Sequence, residues 1–220
     1  MSLRALLFDF DGLIVDTETP ALASWRELYV EHGHELTLER WSAAVGTIDG
    51  FDPVAHLRTL AGDVDLDESL ARRTARELEL VEVEQLRPGV LEYLEEARRR
   101  GLAAAIVSSG SRPWIDRHLA RLERAEHFVD IVTADGDPAR AKPLPVLYLE
   151  ALERLELAPE EAVAFEDSPN GVRAAKAAAL FCVAVPNSVT ASLGLDEADL
   201  VVASLAELPF ARLLELADAR

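Results

Sequence analysis

Short apolar runs alternate with stretches of helical periodicity from residue 87 to the end of the chain. Runs of this length are too short for helices and are typical of strands buried on both faces of a parallel sheet. Strands that alternate with helices imply right-handed crossovers within one sheet. The sequence therefore predicts an α/β fold, a Rossmann-like parallel sheet flanked by helices. Strands are expected at residues 102–107, 128–132, 162–165, 181–185 and 200–202, after a first strand that ends at Phe8.

Residues 16–86 carry a different pattern. An amphipathic helix is expected with Leu22, Trp25, Leu28 and Tyr29 on one face, ending near Gly33. Further helices are expected through Trp41 and Val45 to Gly46, at 54–60 and at 69–86, and no run in this block predicts a strand. Arg87-Pro88-Gly89 then interrupts the helical pattern. We expect an all-helical domain of residues 16–86, inserted into an α/β core domain made of residues 1–15 and 87–220.

The first apolar run ends in Asp9-Phe10-Asp11-Gly12. Side chains two residues apart in an extended chain point the same way, so both carboxylates can address one volume beyond the sheet. Gly12 allows the backbone to turn sharply afterwards. Ligands of open parallel sheets bind at the carboxyl ends of the strands, which makes this a candidate site. The pair alone is weak evidence, because charged loop residues are mostly solvated.

Polar residues follow two further strands. Ser108-Ser109 comes directly after the second expected strand, and Glu166-Asp167 directly after the fourth. Lys142 precedes a proline and is therefore expected in an extended loop. Each feature also has an ordinary explanation, as a helix cap, as acids near a helix N-terminus or as a solvated lysine. Their joint occurrence at one edge of a sheet predicts a functional site.

The charges at this edge indicate a cation. Four crowded carboxylates repel one another unless a cation lies among them, and one lysine supplies too little positive charge. Oxygen ligands without His or Cys suit a hard cation such as Mg²⁺, which binds through one or two carboxylates, waters and phosphate oxygens. Mg²⁺ with a lysine, hydroxyls and a spare carboxylate suits phosphoryl transfer.

The composition excludes several classes of function. The net charge of −18 repels nucleic acid and anionic membranes, so neither is an expected partner. The one cysteine, Cys182, excludes an internal disulfide and thiolate metal binding, and its apolar surroundings predict a core residue. No apolar run reaches the ~18 residues of a membrane span and no signal-peptide pattern is present, so a cytoplasmic protein is expected. A monomer is expected because no long exposed apolar seam is evident.

Together these motifs resemble the haloacid dehalogenase superfamily and, within it, the branch of small phosphatases and phosphomutases similar to β-phosphoglucomutase. The motifs stand in the family order: Asp9-Phe10-Asp11-Gly12, then Ser108 after a strand, then Lys142-Pro143, then Phe165-Glu166-Asp167-Ser168-Pro169-Asn170-Gly171. The resemblance covers nearly the whole chain and includes a helical cap after the first motif. Motifs are informative only in the right structural context, and each of these follows an expected strand or its loop.

The resemblance implies roles for the residues of these motifs. Asp9 would be the nucleophile that forms an aspartyl-phosphate, and Asp11 the general acid and base. Mg²⁺ would be held by Asp9, Asp167, the backbone carbonyl of Asp11 and, directly or through water, Glu166. The catalytic residues would also include Ser108 and Lys142, and the phosphoryl group would be bound by Gly12, Ser108, Ser109 and Lys142. The helical cap would close over the site.

The expected function is hydrolysis of a small phosphorylated metabolite, a sugar phosphate or phosphoglycolate. An acid at position 11 favours a phosphate ester over halide displacement, because a leaving oxygen needs a proton. A phosphomutase is the alternative, but Ala21 and Asp49 stand where that branch has a histidine and a basic residue. A phospho-accepting receiver module also combines strand-end aspartates, a hydroxyl and a lysine, but it lacks a helical insertion of this size. Ala179 replaces the family's usual glycine, which we expect to be a minor change at a helix end.

Overall fold

One parallel sheet forms the centre of the molecule. The computed structural model describes residues 3–41, 45, 51–62 and 64–219. The strands are β1 (Ala5–Phe8), β2 (Ala103–Ser108), β3 (Asp130–Thr133), β4 (Ala162–Glu166), β5 (Phe181–Ala184) and β6 (Leu200–Val201). Their order is β3-β2-β1-β4-β5-β6, and every neighbouring pair is parallel. This order is that of a doubly wound Rossmann-type sheet, so the predicted fold class is confirmed.

Helices lie between these strands and after the last of them. They are α1 (Glu18–Glu31), α2 (Leu38–Trp41), α3 (Pro53–Ala61), α4 (Asp67–Glu82), α5 (Val90–Arg100), α6 (Arg112–Leu122), α7 (Val146–Arg154), α8 (Pro169–Ala177) and α9 (Phe210–Asp218). Helix α8 begins as its sequence predicts, because Ser168 is the N-cap and accepts a hydrogen bond from the N–H of Gly171 at 3.2 Å. Within the described residues, no helix is long and apolar enough to cross a bilayer.

Alternate residues of the strands pack into two separate layers. Leu6 and Phe8 of β1 belong to the apolar cluster that includes α5, α6 and α9. Ala5 and Leu7 belong to the cluster on the other face, with α7 and α8. Cys182 is buried in this second layer, as predicted. A sheet covered on both faces explains why its strands read as continuous apolar runs.

Helices α1 to α4 lie between β1 and β2 and form a third apolar cluster of their own, which Val189 joins from the C-terminal half. The chain enters and leaves this block side by side, because Val15 pairs with Leu86 in an antiparallel bridge. The described part of residues 16–85 contains no strand. The division into a core of 1–15 plus 87–220 and an inserted domain of 16–86 stays a prediction. The second predicted helix, which runs to Gly46, lies partly outside the described residues. Asp49 also lies outside them.

Candidate active site

The site residues converge at the carboxyl ends of three neighbouring strands. Asp9 directly follows β1, and its backbone N–H donates to the carbonyl of Phe165 in β4 at 2.9 Å. Ser108 is the last residue of β2, and Glu166 is the last residue of β4. Because β1 lies between β2 and β4, these side chains meet at one edge of the sheet. The structure thus places the strand-end groups together, as the sequence indicates.

Lys142 reaches this edge from the loop that follows β3. Its ammonium group is 2% exposed, forms a salt bridge with Asp9, and lies 2.7 Å from both the carbonyl of Val107 and Oε1 of Glu166. Burial alone would lower the pKa of this lysine, but the carboxylates of Asp9 and Glu166 outweigh that effect and raise it. Lys142 is therefore a fixed positive charge inside the site.

The carboxylates of Asp9, Glu166 and Asp167 form a compact cluster. Each offers one oxygen atom, and these atoms lie within 4.8 Å of one another. Burial raises the pKa values of Asp9 and Asp167 well above the usual range, and neighbouring carboxylates raise them further. Oε2 of Glu166 is buried and has no hydrogen-bond partner among the described residues. A cluster with too much negative charge and an unused buried acceptor is suited to a divalent cation.

Residues of helices α7 and α8 determine the position of the Glu166 carboxylate. The hydroxyl of Tyr148, which is fully buried, donates to Oε1 of Glu166. Gly171 in the first turn of α8 leaves room for Oε2, because a Cβ at position 171 would lie only 1.8 Å from that atom. The carboxylate is thus fixed on one oxygen and free on the other.

Asp167 is fixed through Asn187, which follows β5. The side-chain N–H₂ of Asn187 donates to Oδ2 of Asp167 at 2.7 Å and to the carbonyl of Gly12 at 3.2 Å. Gly12 has a φ of 77°, and a Cβ there would lie 2.2 Å from Oδ2 of Asp167. Its N–H donates to the carbonyl of Val15 at 2.8 Å, so this donor is already used within the turn. Phosphate binding by Gly12 stays a prediction.

Asp11 lies beside the cluster and is hydrogen-bonded by side chains from three segments. The hydroxyl of Thr17 and the indole N–H of Trp114 donate to its Oδ1 at 3.0 and 2.8 Å, and the hydroxyl of Ser108 donates to its Oδ2 at 3.4 Å. Burial raises the pKa of Asp11, and the hydrogen bonds from Trp114 and Thr17 oppose the rise. A carboxyl group whose pKa is raised can carry a proton closer to neutral pH.

The two serines at the end of β2 have different surroundings. Oγ of Ser108 accepts a hydrogen bond from the N–H of Gly110 at 2.9 Å while it faces Asp11. Oγ of Ser109 accepts from the backbone N–H of Lys142 at 3.1 Å and so connects the β2 loop to the lysine loop. Contacts of either serine with a phosphoryl group stay predictions.

Five residues around the site were missed by sequence reasoning. They are Asn187, Arg87, Trp114, Tyr148 and Thr17, whose hydroxyl donates to Asp11 from the position before helix α1. Asn187 follows a strand, so the strand-end criterion would have found it. Arg87 was interpreted only as an interruption of the pattern, yet its guanidinium donates to the carbonyls of Gly12, Val185 and Pro186 and connects the loops after β1 and β5. Trp114 and Tyr148 lie on helices, and no local pattern shows which atom their polar groups reach.

Comparison with known proteins agrees with this geometry. Residues 3–179 match the family model for haloacid dehalogenase-like hydrolases. The Bacillus subtilis (strain 168) protein named "Putative phosphatase YhcW" is 42% identical over 214 residues, which cover 97% of both chains. Hexitol phosphatase A of Escherichia coli (strain K12) is 34% identical over 213 residues, which cover 94% of both chains.

A solved structure shows the same architecture. A CbbY mutant from Rhodobacter sphaeroides, in complex with xylulose-(1,5)bisphosphate, superposes with a TM-score of 0.75 at 29% identity. The alignment covers 94% of this chain and 96% of that chain. The predicted enzyme class, a phosphoric monoester hydrolase, is confirmed by the family and by relatives that are themselves named as phosphatases. The chain belongs to the haloacid dehalogenase-like hydrolases, the family that its four motifs resemble.

Proposed function

We propose that this protein is a Mg²⁺-dependent phosphatase that hydrolyses a small phosphorylated metabolite through an aspartyl-phosphate on Asp9. The observation that carries the proposal is the cluster of Asp9, Glu166 and Asp167 beside the buried ammonium group of Lys142. It combines a carboxylate that can act as nucleophile, oxygen ligands for a hard cation and a fixed positive charge at one edge of the sheet.

The donor set fits Mg²⁺. One oxygen of each of the three carboxylates lies within 4.8 Å of the others. In the part of the chain that the structure describes, Oε2 of Glu166 is buried without a hydrogen-bond partner. Asp9, Asp167, Glu166 and the backbone carbonyl of Asp11 would hold the ion, directly or through water. Bound there, Mg²⁺ would offset the negative charge of the phosphoryl oxygens.

Asp9 and Asp11 divide the chemistry between them. A carboxylate oxygen of Asp9 forms a bond to phosphorus as the bond from phosphorus to the leaving oxygen breaks, and Asp11 gives its proton to that oxygen. Water then attacks the phosphorus of the aspartyl-phosphate, Asp11 takes a proton from it, and phosphate leaves with the Asp9 carboxylate restored. Lys142 forms a salt bridge with Asp9 and would neutralise charge on the phosphoryl oxygens, to which Ser108 would donate a hydrogen bond.

The helical block of residues 16–86 is proposed to be a cap that excludes water during the first step. Contacts between the block and the core support this proposal. The hydroxyls of Thr19 and Ser188 lie 2.8 Å apart, and the side-chain N–H₂ of Asn170 donates to the carbonyl of Val45 at 3.1 Å. Polar contacts of this kind can break and re-form as a domain opens.

The substrate class is proposed to be phosphorylated sugars or sugar alcohols, with phosphoglycolate as a further possibility. Two relatives support this choice: one is named a hexitol phosphatase, and the other was solved in complex with xylulose-(1,5)bisphosphate. Ala21, where the mutase branch has a histidine, is half-buried against the apolar cluster of the helical block and offers no polar group. Hydrolysis is therefore favoured over a phosphomutase reaction.

Phosphate release from a panel of substrates tests the proposal. The panel contains sugar phosphates, hexitol phosphates, phosphoglycolate and β-glucose 1-phosphate, each with Mg²⁺ and with EDTA. We expect release that requires Mg²⁺ and differs among substrates by more than tenfold. Formation of glucose 6-phosphate without release of phosphate would show a mutase instead, and release that EDTA leaves unchanged would contradict the metal.

Replacement of Asp11 tests the acid and base role. Asp11→Ala is expected to lower kcat by ~10²-fold or more, because general acid and base catalysis normally contributes at least that much. Mg²⁺ affinity should change little, since the proposed contact of this residue with the metal is its backbone carbonyl. A rate within a few fold of the wild type would contradict the role.

A further inference from the structure

Trp114 is the tightest hydrogen-bond donor to the side chain of Asp11. Its indole N–H lies 2.8 Å from Oδ1, closer than the hydroxyl of Thr17 at 3.0 Å or that of Ser108 at 3.4 Å. The residue belongs to helix α6, which packs on the sheet, and it follows no strand directly. None of the roles proposed above involves it.

The two oxygens of Asp11 differ because of this contact. An indole N–H donates and has no acceptor capacity, so the hydrogen bond from Trp114 disfavours a proton on Oδ1. Among the residues that the structure describes, the one hydrogen bond to Oδ2 is the long contact with Ser108. A Cβ at position 110 would lie 2.9 Å from Oδ2. The glycine at position 110 thus leaves space for Oδ2, and Oδ2 is the oxygen that can hold a proton toward a leaving group.

Trp114 is itself held firmly. Its ring packs edge to face on the imidazole of His118, one helical turn further on, with 4.2 Å between ring centroids. His118 is fully buried and contacts Phe10, whose ring centroid is 6.3 Å away. Phe10 stands between the two aspartates, so Trp114, His118 and Phe10 form a stack that connects helix α6 to the loop that carries Asp11. Such packing restricts the orientation of the indole N–H.

We propose that Trp114 is a positioning residue that holds Oδ1 of Asp11, so that Oδ2 exchanges the proton with the leaving oxygen. The inference rests on the proposed acid and base role of Asp11. It goes beyond that role in two ways. The proton is assigned to one oxygen of Asp11, and the orientation of the Asp11 carboxylate is assigned to a residue outside the four motifs.

Trp114→Phe tests the inference, because it removes the N–H and keeps an aromatic ring for packing. We compare kcat/KM, which reports phosphoryl transfer and not the later hydrolysis of the enzyme phosphate. One substrate is the best sugar phosphate, whose leaving alkoxide needs a proton. The other is p-nitrophenyl phosphate, whose leaving group needs little protonation. We expect a loss of about tenfold for the sugar phosphate and less than about threefold for p-nitrophenyl phosphate, because a misplaced acid harms only the step that needs it.

Three further variants make the result decisive. Asp11→Ala should show the same contrast between substrates, only larger, and absence of the contrast there would overturn the acid role itself. Suppose that Asp11→Ala shows the contrast. If Trp114→Phe then lowers kcat/KM equally for both substrates, or for neither, the positioning role is wrong. Trp25→Phe, in helix α1 away from Asp11, is the matched control and should leave both values unchanged. If Trp114→Phe proves unstable in thermal unfolding, Trp114→Leu, which also lacks a hydrogen-bond donor, is measured instead, with the same two outcomes.

Discussion

Individual glycines decide how closely backbone and carboxylates approach one another in this site. A Cβ at position 171 would lie 1.8 Å from Oε2 of Glu166, and a Cβ at position 110 would lie 2.9 Å from Oδ2 of Asp11. Neither Gly171 nor Gly110 has a positive φ, so their backbones would accept alanine and only the space forbids it. The site therefore requires a residue without a Cβ at both positions.

Gly171→Ala should displace Glu166 and weaken Mg²⁺ binding. We expect a loss of affinity of about tenfold or more, which is typical when a group that orients a metal ligand is disturbed. Isothermal titration with Mg²⁺ measures it directly. The matched control is Gly194→Ala, since nothing lies within 4 Å of a Cβ at that position. Equal affinities of the two variants would show that Glu166 takes no part in binding the ion.

His118 should make the protein less stable in acid. Its ring is fully buried, and neither nitrogen has a hydrogen-bond partner within the described ranges of the chain. Burial lowers the pKa of His118 to about 4, helped by Arg121 and Arg117 and opposed by Glu82. The unfolded chain takes up this proton near pH 6.5, whereas the folded chain resists it. Stability contributed by the neutral ring is therefore complete above pH 6.5 and is lost as the pH falls toward 4.

His118→Phe should remove this part of the pH dependence. The lowered pKa corresponds to at most about 3 kcal/mol of unfolding free energy between pH 6.5 and 4. Urea unfolding at pH 7.5 and at pH 4.5 should show a smaller difference for the variant than for the wild type. An unchanged difference would mean that the imidazole is protonated in the folded protein.

The sequence predicts some site residues and misses others for a physical reason. Asp9 and Glu166 follow buried strands directly, so parallel pairing alone brings them together. Trp114 and Tyr148 reach the site through long side chains from helices, and their contacts depend on how each helix is rotated against the sheet. That rotation is fixed by packing across the whole core and leaves no local pattern in the chain.

At the scale of elements, the strands follow from the sequence because both faces of the sheet are covered. Each predicted strand is present, with ends shifted by no more than two residues. Helix α9 was not predicted, although residues 210–218 bury Leu213 and Ala217 against the sheet. Strand ends are also less certain than strand positions, since an end depends on where the neighbour's hydrogen bonds stop.

Ala179 is more than a minor change at the end of helix α8. The residue has a φ of 61°, a conformation that costs alanine roughly 1–2 kcal/mol relative to the right-handed region. Its side chain is exposed, so nothing is lost by removing it. Ala179→Gly should raise the unfolding free energy by roughly 0.5–1 kcal/mol, after the greater flexibility of glycine in the unfolded chain is subtracted.

Thermal and chemical unfolding measure the effect of Ala179→Gly. The matched control is Ala177→Gly, which is exposed in the last turn of α8 and should destabilise the protein by roughly 0.5–1 kcal/mol. If Ala179→Gly raises the unfolding free energy and Ala177→Gly lowers it, the positive φ of Ala179 is demonstrated. Destabilisation by both would contradict the positive φ of Ala179.

At the scale of the whole molecule, the site is built where three parts of the chain meet. The sheet supplies the carboxylates, the loop after β3 supplies Lys142, and the helical block contacts the core through Thr19 and Val45. The net charge of −18 gives an anionic substrate no general attraction, so a local cation must hold it. Lys142 and the proposed Mg²⁺ supply that charge where the phosphoryl group would lie.

Asp9 is proposed to be the nucleophile of a Mg²⁺-dependent reaction. The most direct test is phosphate release by Asp9→Asn at saturating Mg²⁺ and substrate, with folding checked by circular dichroism. We predict a loss of at least about a thousandfold, because removal of a nucleophile leaves only binding and electrostatic effects. A rate within tenfold of the wild type would contradict the covalent mechanism and the assignment of the site.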